Sequence, residues 1–91
     1  MKFMTTWAVH SEAVKEAVAQ FLATGGQPVP GVTLLGRWHS LGCNSGYTLY
    51  ETDNPAALYE GAAKWSELMD IDVVPVIEDD AVGPILARLF K

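Results

Sequence analysis

The pattern of apolar and polar positions divides the chain into strand-like and helix-like segments. Alternating residues rich in β-branched and aromatic types predict strands over residues 2–9, 32–41, 46–52 and 71–77. Between the first two strands, and again between the last two, apolar residues return every three or four positions, which is typical of an amphipathic helix. The predicted order of elements is therefore β-α-β-β-α-β.

Residues that favour helix ends delimit both predicted helices. Ser11 is expected to cap the first helix, which ends at Gly25. Asp53 or Asn54 is expected to cap the second helix, with Pro55 at its first helical position. Each helix then has one apolar side to bury against the sheet.

The last strand and the C-terminus carry further signals. Pro75 cannot donate a hydrogen bond to a neighbouring strand, so its strand is expected at a sheet edge or to contain a bulge. Residues 79–91 are expected to form a tail, in which a short helix restarts at Gly83 and Pro84. Its apolar side would consist of Ile85, Leu86, Leu89 and Phe90. Because 91 residues are too few for two stable cores, residues 1–91 are expected to form one domain.

The order of elements predicts an α+β fold of the ferredoxin-like type. In that fold a four-stranded antiparallel sheet carries two helices on one face, and the other face stays open unless a partner covers it. The hydrophobic fraction, 49% of residues, is high enough to leave apolar surface for such a partner. Oligomerisation is the expected use of the open face.

Charge and cysteine content narrow the choice of partners. The formal net charge is -5 and the basic residues are scattered, so nucleic acid is not an expected partner. The single cysteine, Cys43, cannot form an internal disulfide, no His and Cys spacing suits a metal, and no cofactor is predicted. No apolar stretch approaches the ~20 residues of a membrane span. We therefore expect a soluble cytoplasmic protein with no cleaved leader and no membrane partner.

Residues 36–40, with the sequence GRWHS, place three unlike side chains together on the second strand. Strand alternation directs Trp38 away from Arg37 and His39. A hairpin loop centred on Cys43 and Asn44 would put His39 across from Thr48, Arg37 from Tyr50 and Trp38 from Leu49. One face then carries Leu34, Trp38, Tyr47 and Leu49, expected as core under the helices, and the open face carries Leu35, Arg37, His39, Thr48 and Tyr50. Trp7 fits either face.

The second of these sets suits the wall of a ligand pocket, because it combines hydroxyl, imidazole and guanidinium groups. In one hypothesis a small, oxygen-rich aromatic or cyclic compound binds there. His39 and Tyr50 are then the candidate catalytic residues, and Arg37 and Thr48 bind the ligand. In the alternative hypothesis the same residues complete the hydrogen bonds of a non-catalytic dimer interface. The residues alone leave open whether the protein is an enzyme.

Three segments resemble a small bacterial family known only as a domain of unknown function, within the dimeric α/β-barrel superfamily. They are GVTLLGRWHSLGCNSGYTLYET, NPAALYEGAAKWSEL and DVVPVI. The resemblance implies a homodimer in which two ferredoxin-like subunits press their open faces together, with each pocket between a sheet and its partner. Relatives in the superfamily include cofactor-independent monooxygenases, isomerases and proteins without clear chemistry. The resemblance therefore implies an assembly and supplies no catalytic residues.

Overall fold

The predicted strands form one antiparallel sheet in the computed structural model of the chain, which describes residues 1–90. The strands are β1 (Lys2–Val9), β2 (Thr33–His39), β3 (Ser45–Glu51) and β4 (Met69–Val76), and the helices are α1 (Val14–Thr24), α2 (Pro55–Trp65) and α3 (Asp79–Leu89). The strand order across the sheet is β2-β3-β1-β4. This arrangement confirms the ferredoxin-like α+β fold. It also places β4 at an edge, as Pro75 predicts.

The helix ends follow local chemistry, with one exception. At the start of α2 the Asn54 side chain accepts a hydrogen bond from the Ala57 N–H at 3.4 Å, and Pro55 is the first helical residue. At the end of α1 the chain leaves the helix at Gly25. The predicted Ser11 cap is wrong, because residues 11–13 form a 3₁₀ turn and the Ser11 hydroxyl donates to the Glu12 carboxylate.

Helix α3 is longer than the short helix expected at Gly83 and Pro84. It begins at Asp79, because two acidic residues in its first turn interact favourably with the helix dipole, and Pro84 lies inside it. No residue of α3 is buried. The predicted apolar side is therefore exposed: Ile85, Leu86, Leu89 and Phe90. Lys91, the last residue of the predicted tail, lies outside the described residues.

Two small apolar clusters hold α1 and α2 to the sheet. One joins Phe3 of β1 to Leu58 of α2 through Val29 and Val32 of the loop before β2. The other consists of Ala13, Ala17 and Leu68, with Trp65 packed against it. Both clusters lie on the same side of the sheet, so α1 and α2 cover one face.

The β2–β3 hairpin has a different register from the predicted one. Arg37 lies opposite Thr48, Trp38 opposite Tyr47, and His39 opposite Gly46. The predicted pairs were wrong by two residues because the Ser40 N–H bonds to the Ser45 carbonyl at 2.8 Å. This bond closes the loop around Gly42 and Cys43, one position earlier than expected. Because strand side chains alternate, a shift of two residues keeps each of these side chains with the neighbours predicted to share its face.

A bulge between Leu34 and Gly36 changes the face of the sheet to which the side chain of Leu34 belongs. Leu34 lies opposite Tyr50, so it shares the face of Arg37. The grouping of Leu34 with Trp38 and of Leu35 with Arg37 was therefore wrong. The physical reason is the extra residue, which breaks the two-residue alternation at Leu35.

The two faces of the sheet are exchanged relative to the prediction. Thr5 and Thr48 lie opposite each other and are 6% and 2% exposed, on the face that α1 and α2 cover. Trp38 and Tyr47 are 54% and 53% exposed, on the open face. The expectation of Trp38 as core under the helices was wrong. Both faces carry aromatic residues, and β1 determines the outcome because Phe3 joins the cluster beneath α2.

Candidate functional site

A cavity of about 470 Å³ lies between the sheet and the two covering helices. Side chains of α1, α2 and the loop around Pro28 form its roof, and β1, β2 and β3 form most of its floor. Four aromatic residues line it: Trp7, Phe21, Tyr50 and Trp65. This volume lies within the range of pockets that bind small organic molecules.

Two rows of paired residues across the sheet form the floor. From β4 through β1 and β3 to β2, one row is Val73, Thr5, Thr48 and Arg37, and the next is Ile71, Trp7, Gly46 and His39. All four predicted site residues, Arg37, His39, Thr48 and Tyr50, line the cavity. The structure thus places all four along one cavity. That cavity lies under the helices, and the expected placement on the open face was wrong for the reason given above.

Trp7 is held in place at the centre of the floor. Its indole Nε1 donates a hydrogen bond to the Thr48 hydroxyl at 3.1 Å. The ring passes over Gly46, where a Cβ atom would collide with the indole and with the Trp38 carbonyl. Its centroid lies 5.3 Å from that of the His39 imidazole, with the rings nearly perpendicular. Trp7 therefore links the buried threonine to the histidine.

Arg37 and His39 lie at the end of the floor beneath α1. The Arg37 guanidinium donates to the Gly26 carbonyl and lies over the Phe21 ring, 5.3 Å from its centroid. The His39 ring meets the Phe21 ring edge-on at 5.9 Å and is exposed. A guanidinium and an imidazole thus lie together at the rim of an aromatic cavity.

Tyr50 lies away from this rim. It packs against the Phe3 cluster, four residues along β3 from the position opposite His39, a distance of roughly 13 Å between backbone positions. The structure therefore does not form a direct His39 and Tyr50 pair. A ligand that touched both residues would have to extend along β3.

Sequence reasoning missed Thr5 and Phe21 as cavity residues and left Trp7 undecided. Thr5 is in phase with Phe3 and Trp7 on β1, so an alternation pattern was present. The alternate residues of β1, Met4, Thr6 and Ala8, gave no contrast in polarity. The contacts of Phe3 with the loop before β2 and with α2 settle which set faces the helices.

Charged groups outside the cavity form surface pairs. The His10 Nε2 atom lies 3.0 Å from an Asp70 carboxylate oxygen, and this hydrogen bond raises the pKa of His10. The Lys2 ammonium pairs with Glu78, which raises the pKa of Lys2.

Over residues 1–90, no group of three or more His, Cys, Asp or Glu side chains is placed to hold a metal ion. The same residues contain no helix long and apolar enough to cross a membrane.

The fold and the cavity define an α+β protein of the ferredoxin-like type, with an aromatic-lined cavity beneath its two covering helices. Residues 1–90 match the family described as a domain of unknown function, DUF3303. The match extends over nearly the whole chain, so the protein belongs to that family. No curated protein matches the chain significantly.

Proposed function

We propose that the protein binds a small, flat organic molecule in the cavity between the sheet and helices α1 and α2. The observation that carries this proposal is the convergence of four aromatic rings with Arg37, His39 and Thr48 on one cavity of about 470 Å³. Binding pockets for small molecules combine such apolar walls with a few placed polar groups. The proposed site differs from the open-face site that the sequence suggested.

Each end of the cavity has a distinct proposed role. Trp7, Phe21 and Trp65 offer ring faces and edges to a flat ligand. Arg37 and His39 contact its polar substituents at the rim. Tyr50 bounds the opposite end. Turnover of a bound ligand, with His39 and Tyr50 as catalytic candidates, is the enzymatic form of this proposal.

Native mass spectrometry of the freshly purified protein, combined with an absorbance spectrum, tests the proposal directly. A co-purified small molecule at one per chain is the expected result. Calorimetric titration with 1-naphthol then tests the site, and we expect His39→Ala to weaken binding by about fivefold or more. His10→Ala is the matched control, because His10 does not line the cavity. Equal weakening by both substitutions would remove His39 from the site.

A second candidate function is a homodimeric module, and the open face of the sheet favours it. Trp38 and Tyr47 lie opposite each other on that face, and Val74 of β4 is exposed on it as well. An exposed aromatic patch of this kind is typical of an interaction surface. The resemblance to dimeric α/β-barrel proteins supports the same assembly.

Sedimentation velocity over a range of protein concentrations tests the dimer. We expect Trp38→Lys to lower the dimer fraction while 1-naphthol binding persists in the cavity. Leu22→Lys is the control, because Leu22 is an exposed apolar residue of α1. A wild-type protein that stays monomeric at all concentrations excludes this function.

The single exposed Cys43 supports a cytoplasmic site of action, and the charge of -5 argues against nucleic acid as a partner.

A further inference from the structure

The hydroxyl of Thr5 is buried in the cavity floor without a hydrogen bond. Thr5 is 6% exposed, and its Oγ1 atom has no partner among residues 1–90. Buried hydroxyls in folded proteins are nearly always paired, because losing water without a replacement bond is costly. Thr5 also lines the cavity, so a molecule that reaches the floor would lie next to this side chain.

A second buried hydroxyl lies directly across the strand pair. Thr48 is opposite Thr5 on β3 and is 2% exposed. Its Oγ1 atom accepts a hydrogen bond from Trp7, which directs its own proton to another acceptor. Opposed residues of an antiparallel pair have Cβ atoms about 5 Å apart. The two side chains are therefore close enough for one ligand atom to lie beside both.

The surroundings of Thr5 favour an uncharged group. The one cationic side chain of the row, Arg37, lies directly opposite Thr48 and two strands from Thr5, roughly 10 Å from Thr5 across the sheet. Its guanidinium is engaged by the Gly26 carbonyl and the Phe21 ring. Val73, on the other side of Thr5, is apolar. A carboxylate at Thr5 would lose its hydration beside the apolar Val73, while the Arg37 guanidinium stays bound to the Gly26 carbonyl.

We propose that Thr5 and Thr48 bind an uncharged oxygen atom, a carbonyl or hydroxyl oxygen, of a flat aromatic ligand. A carbonyl oxygen accepts a hydrogen bond from each threonine. A hydroxyl group accepts from Thr48 and donates to Thr5. The inference rests on the proposed function, and it adds the orientation of the ligand: its oxygen is at the floor and its ring edge points toward the rim at His39.

Three probes of one shape test the inference by isothermal titration calorimetry: naphthalene, 1-naphthol and 1-naphthoate. For the wild-type protein we expect 1-naphthol to bind about tenfold more tightly than naphthalene. In Thr5→Val, which keeps the shape of the side chain, naphthalene affinity is expected to stay constant and the preference for 1-naphthol to fall several-fold. Thr6→Val is the matched control, because Thr6 is the next residue of β1 and is exposed on the opposite face.

The melting temperature of the ligand-free protein provides an independent readout. Thr5→Val removes an unpaired buried hydroxyl, so we expect its melting temperature to rise while the preference for 1-naphthol falls. A threonine with a purely structural role would show a lower melting temperature and an unchanged preference. Thr5→Ser retains the hydroxyl and is expected to keep the preference, which gives a second variant should Thr5→Val fold poorly.

The outcomes separate this inference from the proposed function. Equal wild-type affinities for naphthalene and 1-naphthol would overturn the threonine site and leave the cavity as a binding site. Tighter binding of 1-naphthoate that is lost in Thr5→Val would show that the floor binds an anion, which also overturns the inference. Failure of all three probes to bind would overturn the proposed function together with it.

Discussion

Arg37 and Trp38 are neighbours in the chain, and their side chains enter different environments. Arg37 reaches over the Phe21 ring inside the cavity, whereas Trp38 folds back along β2 on the open face. A Cβ atom at Gly36 would lie 2.6 Å from the Trp38 ring, so glycine is what allows the indole to lie against the strand. The segment GRWHS therefore contributes one residue pair to the cavity and one aromatic residue to the exposed surface.

The surface pair of His10 and Asp70 predicts a measurable titration. Its hydrogen bond raises the pKa of His10 above the ordinary value of 6.5. The stabilisation is fully present below pH 6.5 and is lost as pH rises through the folded-state pKa. We expect an NMR titration of Asp70→Asn to show a lower His10 pKa than the wild type.

Asp72→Asn is the control for this titration, because Asp72 lies on the same strand two residues away. It is expected to change the His10 pKa much less. Both His10 and Asp70 are near water, so the effect on the free energy of unfolding is expected to be small. An unchanged His10 pKa in Asp70→Asn would mean that the pair does not form in solution.

At the scale of elements, Gly46 of β3 leaves the space that the Trp7 ring occupies on the cavity floor. Gly46→Ala would place a methyl group against the Trp7 ring and the Trp38 carbonyl. We expect this change to lower the free energy of unfolding by about 1–3 kcal/mol and to displace Trp7. Urea unfolding measures the first effect, and the tryptophan fluorescence spectrum reports the second.

Gly42→Ala is a matched control in the same hairpin, since a Cβ atom there would meet only the Ser40 hydroxyl at 3.6 Å. It is expected to leave stability and fluorescence nearly unchanged. Equal losses in both variants would indicate a general effect on the hairpin, contrary to a specific role of Gly46 beneath Trp7.

The strands and the first two helices were predictable from sequence because their signals are local. Period-two alternation, Pro55 at a helix start and Pro75 in an edge strand each act within a few residues. The start of α3 was less predictable, because Pro84 suggested a break whereas the acidic first turn extends the helix to Asp79.

The faces of the sheet were not predictable from the hairpin alone. Its register depends on one loop hydrogen bond between Ser40 and Ser45, and its alternation is broken by a bulge at Leu35. The two sets of side chains were correctly separated at Arg37 and Trp38. Which set lies under the helices depends on Phe3 and its distant partners in the loop and α2, which no local pattern encodes.

At the scale of the whole molecule, the chain is extended. Its radius of gyration is 15.5 Å, against about 12 Å for a compact chain of this length. Helix α3 contributes no buried residue and exposes an apolar side at Leu86 and Leu89. In the proposed homodimer this side is expected to pack against the second copy, because burial of a leucine is strongly favourable.

Substitution on α3 tests this packing. We expect Leu86→Asp to weaken the dimer by at least about tenfold in sedimentation equilibrium, since each copy loses a buried leucine. Ala87→Asp adds the same charge at the next exposed position and is expected to have a much smaller effect. A dimer that is equally stable in both variants would place α3 outside the interface.

The β2–β3 hairpin is one layer thick, with Arg37 and Thr48 on its cavity side and Trp38 and Tyr47 on its open side. A ligand in the cavity and a second copy on the open face would therefore contact opposite sides of the same two strands. Thermodynamic linkage makes their effects reciprocal: the factor by which 1-naphthol changes the dimer dissociation constant equals the factor by which dimerisation changes the affinity for 1-naphthol. Where this factor differs from one, each of the two binding events can be measured through the other.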